Sequence, residues 1–147
     1  MLQAAQSDGN GSLDNDVLSM SNVAVNSTSK TIEVNSLTDY ALVKVGKDDN
    51  FNQLVFAQFS SDKNAIVLID PAHTGSFARL ERIAGRAKFP TEYSQVFILT
   101  NNLDPQSINL KVSNQVTEQK LQNVVGVIPG KSKKDEYVVF GGHYDHI

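Results

Sequence analysis

Residues 65–99 read AIVLIDPAHTGSFARLERIAGRAKFPTEYSQVFIL, and the changes of pattern inside them decide the fold class. Ala65-Ile66-Val67-Leu68-Ile69 is an apolar run with β-branched side chains and no polar face, which predicts a strand covered on both sides. Asp70-Pro71 ends it. From Ser76 to Lys88, Phe77, Leu80, Ile83, Ala84 and Ala87 fall on one stripe and Arg79, Arg82 and Arg86 on the other. That spacing predicts an amphipathic helix, which Pro90 cannot continue. Arg86 and Lys88 near its end complement the negative pole of the helix dipole. Val96-Phe97-Ile98-Leu99 then repeats the buried-strand pattern. A strand, helix, strand unit predicts a parallel pair joined by a right-handed crossover, with Ile66, Leu68, Leu80, Ile83, Phe97 and Leu99 buried together.

Upstream of this unit, Asp49 or Asn50 is placed to cap a helix over about 50–60, since Phe51, Leu54, Val55 and Phe59 recur on one helical face. Short alternations at Val23 and Val25, at Ile32 and Val34, and over Tyr40 to Val45 predict strands. The first twenty residues are polar and rich in Gly, Asn, Asp and Ser, the composition of a flexible terminus, and no element is predicted there. Downstream, Asn101-Asn102 and Asp104-Pro105 make a turn before Ile108, Leu110 and Val112, which alternate with polar residues as in a half-exposed strand. Beyond residue 115 the pattern changes to NVVGVIPG (123–130), a charged loop, and YVVFGGHYDHI (137–147), read as two apolar strands in a hairpin. The abrupt stop in His and Asp reads as a cut through a larger protein.

The chain has 147 residues with a net charge of −3, and its basic residues gather on no face or arm, so nucleic acid is excluded as an expected partner. No apolar run approaches the roughly 20 residues that span a bilayer. With zero cysteines there is no disulfide framework, thiolate nucleophile or Cys-built zinc site. The residues after Met1 carry no charged region followed by an apolar core of a secretory signal, so any export signal is expected to be removed or to lie upstream.

The strongest constellation is Gly141-Gly142-His143-Tyr144-Asp145-His146, at the C-terminal end of the predicted strand Tyr137 to Phe140. Ligands of open α/β sheets bind beyond the carboxyl ends of strands. The glycines allow a sharp turn, and His143 and Asp145, two residues apart, converge if strand geometry persists. Imidazole suits zinc, and a neighbouring carboxylate either binds metal or orients a ligand's ring. Against this stands the plainer reading of a polar strand end, because catalytic zinc takes three protein ligands.

The run NVVGVIPG, a charged loop and YVVFGGHYDHI resembles the start of the catalytic domain in the di-zinc aminopeptidases related to aminopeptidase Y and glutamate carboxypeptidase. The resemblance implies that His143 is a zinc ligand and that Asp145 supports the site from close by, while the bridging aspartate, the paired glutamates and the other ligands lie downstream of residue 147. Residues 21–115 look like the protease-associated domain of such enzymes, a non-catalytic lid. The implied fold is α+β and mainly β: a small β-barrel or sandwich with one or two helices, plus a C-terminal β-hairpin remnant of the catalytic sheet over 116–147. The implied parent hydrolyses N-terminal peptide bonds with water activated by two zinc ions, acts on peptide or protein substrates, and is secreted or periplasmic. This chain alone is expected to be inactive and to hold no zinc stably; its partner is the remainder of the catalytic domain. The competing class is a stand-alone interaction module in which the HYDH motif is a chance likeness.

Weaker signals point elsewhere and fail on chemistry. Gly130-Lys131-Ser132 suggests a phosphate-binding loop, but Val125 stands where that motif requires its first glycine. Asp8, Asn10, Ser12 and Asp14 resemble the early ligands of a calcium loop, but Leu13 replaces the required Gly and Ser19 the required Glu. His73 has no second His, Cys or paired carboxylate nearby and is read as a solvated loop histidine. No nucleophile-elbow serine exists.

Overall fold

The computed structural model describes residues 1–143. In chain order the strands are β1 (Leu2–Leu13), β2 (Asp16–Val17), β3 (Val23–Asn26), β4 (Thr31–Val34), β5 (Ala41–Val45), β6 (Ala65–Ile69), β7 (Gln95–Leu99) and β8 (Ile108–Glu118). The helices are α1 (Phe51–Phe59) and α2 (Thr74–Ala84). The protein is α+β and mainly β, as expected, with two separate four-stranded sheets rather than a closed barrel.

The first sheet, ordered β2-β1-β8-β4, is antiparallel throughout. The second, ordered β3-β7-β6-β5, is mixed: β5, β6 and β7 run parallel and β3 runs against β7. The parallel pairing of β6 with β7, from Ala65↔Gln95 to Ile69↔Leu99, is the predicted strand, helix, strand unit. Asn50 is the cap of α1, its side chain accepting a hydrogen bond from the Gln53 N–H at 3.1 Å. Asp70 likewise accepts from the Ala72 N–H at 2.8 Å and terminates β6.

Side-chain alternation along the second sheet splits the core in two. Ile66 and Leu68 of β6, Val96 and Ile98 of β7, and Val23 and Val25 of β3 meet Leu13, Ile32, Val34, Leu110 and Val112 of the first sheet. Val67, Ile69 and Phe97 face the other way, against Phe51 and Val55 of α1 and Phe77 and Leu80 of α2. The layers are therefore sheet, sheet, helices. The six residues expected in one cluster are divided by this alternation: Ile66 and Leu68 lie between the sheets, Leu80, Phe97 and the partly buried Leu99 lie under the helices, and Ile83 is only partly buried. A strand buried on both faces contributes to two cores by its period of two.

Three expectations require correction. The first twenty residues are not an unstructured terminus: β1 pairs with β8 from Leu2↔Glu118 to Leu13↔Ile108, with a bulge between Gln6 and Asp8. Only Ala4 and Leu13 of β1 are fully buried, so the strand carries almost no hydrophobic pattern and owes its existence to the ladder with its partner. Secondly, α2 stops at Ala84 rather than Lys88. The chain is drawn off there because Lys88 exchanges both backbone hydrogen bonds with Leu2, at 2.8 Å each. Thirdly, β8 runs on to Glu118, and no strand forms in 119–143; the predicted C-terminal hairpin is absent from the described residues. A strand requires a paired neighbour to satisfy its N–H and C=O groups, and residues 119–143 join neither sheet.

Candidate functional site

The segment carrying the predicted motif lies open. Val124, Val125, Val127, Ile128 and Tyr137 to Phe140 are all exposed, and the two apolar stretches line one cleft of about 820 Å³ without forming a ladder. Lys133 and Glu136 pair at 3.0 Å in the loop between them, as expected of a solvated charged tip. His143 is exposed at the end of this segment. Asp145, with Tyr144 and His146, lies outside the described residues. A Cβ added at Gly141 or Gly142 would meet nothing within 4 Å, so neither glycine is demanded by close packing there.

At the carboxyl ends of the parallel strands, beyond β7, a cleft of about 510 Å³ runs along Leu99 to Asn102 and Asp16 to Ser19, but it does not lie at a topological switch point. Strand order follows chain order from β5 to β7, and α1 and α2 pack on the same face, so the sheet has no switch point at which neighbouring connections diverge. His73 sits at that end, partly buried rather than solvated. Its Nε2 lies 2.8 Å from the Gly46 carbonyl oxygen and its ring 5.5 Å from that of Phe51, tying the loop after β5 to the turn after β6. Among the described residues no group of three His, Cys, Asp or Glu side chains could hold a metal ion.

Two polar constellations carried no local signal in the sequence. Asp14, with a left-handed φ of 52°, follows β1 and gathers the loop after β7. Its carboxylate accepts from Asn102 Nδ2 at 2.7 Å and from the backbone N–H groups of Gln106 and Ser107 at 2.8 and 2.9 Å. The Asn102 hydrogen bond, helped by those of Gln106 and Ser107, holds the Asp14 carboxyl below the ordinary value of 3.8. The calcium-like spacing at 8–14 thus ends in a structural tie.

The second constellation lies at the amino ends of the parallel strands. Asn26 and Gln95, paired across β3 and β7, are both buried, and Asn26 Nδ2 donates to Gln95 Oε1 at 2.7 Å. Gln95 Nε2 donates to the carbonyls of Ser61 and Lys63 at 3.2 and 2.9 Å. The Lys88 ammonium donates to Asn26 Oδ1 and to the Ala84 carbonyl. Burial pulls the Lys88 amine below the usual lysine range. Asn26 and Gln95 stand out in sequence only as polar residues at strand ends, and their partners are 69 positions apart, beyond any local pattern.

No protein-family model matches the chain, and no solved structure matches it. Among curated proteins it is similar to the glutamate carboxypeptidase 2 homolog of Caenorhabditis briggsae, with 29% identity over 89 residues, 55% of this chain and 11% of that protein. The homolog of Caenorhabditis elegans is 28% identical over 89 residues, with the same coverage. The chain therefore spans about a tenth of the length of these relatives. The likeness supports a peptidase-related origin.

Proposed function

We propose that the chain is a non-catalytic lid, or substrate-access, domain of a zinc-dependent aminopeptidase, followed by the first residues of the catalytic domain. The observation that carries this reading is the GGHYDH sequence at 141–146 in a chain similar to glutamate carboxypeptidase homologs. Its extracellular or periplasmic location, and its peptide or protein substrates, belong to the same proposal. In it His143 supplies one zinc ligand and Asp145 steadies the site.

The described residues do not assemble a zinc site: an imidazole is the right donor, but a catalytic zinc takes three protein ligands, and among the described residues no three His, Cys, Asp or Glu side chains come together to hold a metal. No catalytic step is therefore assigned to this chain. The folded part, residues 2–118, contributes shape: a layered body placed ahead of the motif and able to narrow the approach to a neighbouring catalytic surface.

The test is made in the longer protein that carries this sequence. His143→Ala should reduce aminopeptidase turnover by orders of magnitude, because loss of a metal ligand removes the activated water, while the circular dichroism of the folded part is unchanged. Near-normal turnover would instead overturn the assignment of His143 as a zinc ligand.

A further inference from the structure

The network at the amino ends of β6 and β7 borders a cleft of about 380 Å³ between the carboxyl ends of α1 and α2. That volume falls within the roughly 300–1,000 Å³ of small-molecule sites. Its walls are chemically divided. Lys88 and Arg86 supply positive charge, and Phe59, Ile83 and Phe89 supply apolar surface, with Phe89 left 75% exposed.

The Lys88 ammonium has three N–H groups. It donates to two neutral oxygens, of Asn26 and Ala84, and among the described residues it has no carboxylate within ion-pair distance. A partly buried ammonium held by neutral acceptors is short of counter-charge. Asn26 cannot turn away, because its amide is committed to Gln95, and Gln95 is committed in turn to two carbonyls. The network therefore holds the cation at the cleft wall. Asp62 is the acid among the residues lining the cleft, and it makes no ion pair with Lys88 or Arg86.

We propose that this cleft binds a small carboxylate bearing an apolar group, with the carboxylate at Lys88 and Arg86 and the apolar group against Phe59 and Phe89. The carboxylate supplies the missing counter-charge, and the apolar group covers the exposed aromatic. A free acid and the last residue of a peptide present the same chemistry.

The experiment is a titration of the full chain, followed by amide chemical shifts, with N-acetylleucine, with N-acetylleucinamide and with the free-acid peptide Ala-Gly-Leu. The acid should shift amides of residues 59–62 and 86–89 saturably, and the amide should not. Tighter binding of the peptide than of N-acetylleucine identifies a chain end as the ligand, and the reverse order identifies a free acid. Arg86→Gln, an exposed position outside the Asn26 network, should weaken binding about tenfold or more, the worth of a hydrogen bond to a charged group. Lys88→Met keeps the packed stem and should abolish binding, provided its spectrum shows the wild-type fold; where it does not fold, Arg86→Gln alone decides. Absence of saturable shifts, equal response to acid and amide, or wild-type affinity in Arg86→Gln overturns the proposal.

Discussion

Single residues carry unequal weight here because their surroundings differ in how far they can yield. Leu80 is fully buried under the helix layer. Leu80→Ala should cost about 2–5 kcal/mol, read as a fall in the urea midpoint at unchanged slope; a loss within the roughly 0.5 kcal/mol of surface substitutions would contradict the packing. Gly11 is limited by space rather than by turn geometry. A Cβ there would stand 2.7 Å from the Asn109 carbonyl oxygen and from Leu110 Cδ1, so backbone must move. Gly11→Ala is expected to destabilise by about 1–3 kcal/mol, whereas the same change at Gly75, which has nothing within 4 Å, should not destabilise the fold through contact. Asp14 gives a pH signature. Its native carboxyl ionises below 3.8, so its contribution is complete above the unfolded value and is lost as pH falls through the lower native one. Asn tolerates the left-handed backbone but has no charge to lose. The stability gap between wild type and Asp14→Asn, measured by urea unfolding, should therefore shrink on acidification below 3.8; a gap constant with pH would refute the assignment.

At the level of elements, the segment 119–143 tests what a strand needs. Tyr137 to Phe140 has the composition of a buried strand yet lies exposed and unpaired into a ladder. Amide exchange in dilute solution should be fast there and slow at Ile66 to Ile69, since opening costs little where few contacts hold an element. Equal protection of the two segments in a strict monomer would mean that the C-terminal stretch belongs to the folded core. The same contrast explains what could be read in advance. The helix of Phe51, Leu54 and Val55 and the strands β6 and β7 announce themselves through local periodicity and capping, because each buries a face its own residues define. β1 does not, since Gln3, Gln6, Asp8 and Asn10 are strand residues only by virtue of β8. The shortened α2 was equally hidden: nothing near Lys88 in sequence tells that Leu2 will claim its backbone. Of the candidate site, the HYDH motif was legible as a pattern of residue types, while the cluster of Lys88, Asn26 and Gln95 depends on pairings between distant strands and has no trace in any short window.

For the whole molecule, the proposed ligand His143 and its supporting carboxylate Asp145 are fewer groups than a retained zinc requires. After dialysis the isolated chain should keep no stoichiometric zinc and should turn over no aminopeptidase substrate; either property would show that the chain holds a centre of its own. The ladder between β1 and β8 has a further consequence. Leu2 and Glu118 are Cα partners in an antiparallel pair, a separation of about 5 Å. A body of more than a hundred residues therefore has its entrance and exit side by side, and a host polypeptide could carry it as a bulky loop without parting its own framework. Such a body should also tolerate rewiring: joining Glu118 to Leu2 through a few glycines and opening the chain at the exposed Asp48 should leave both cores assembled.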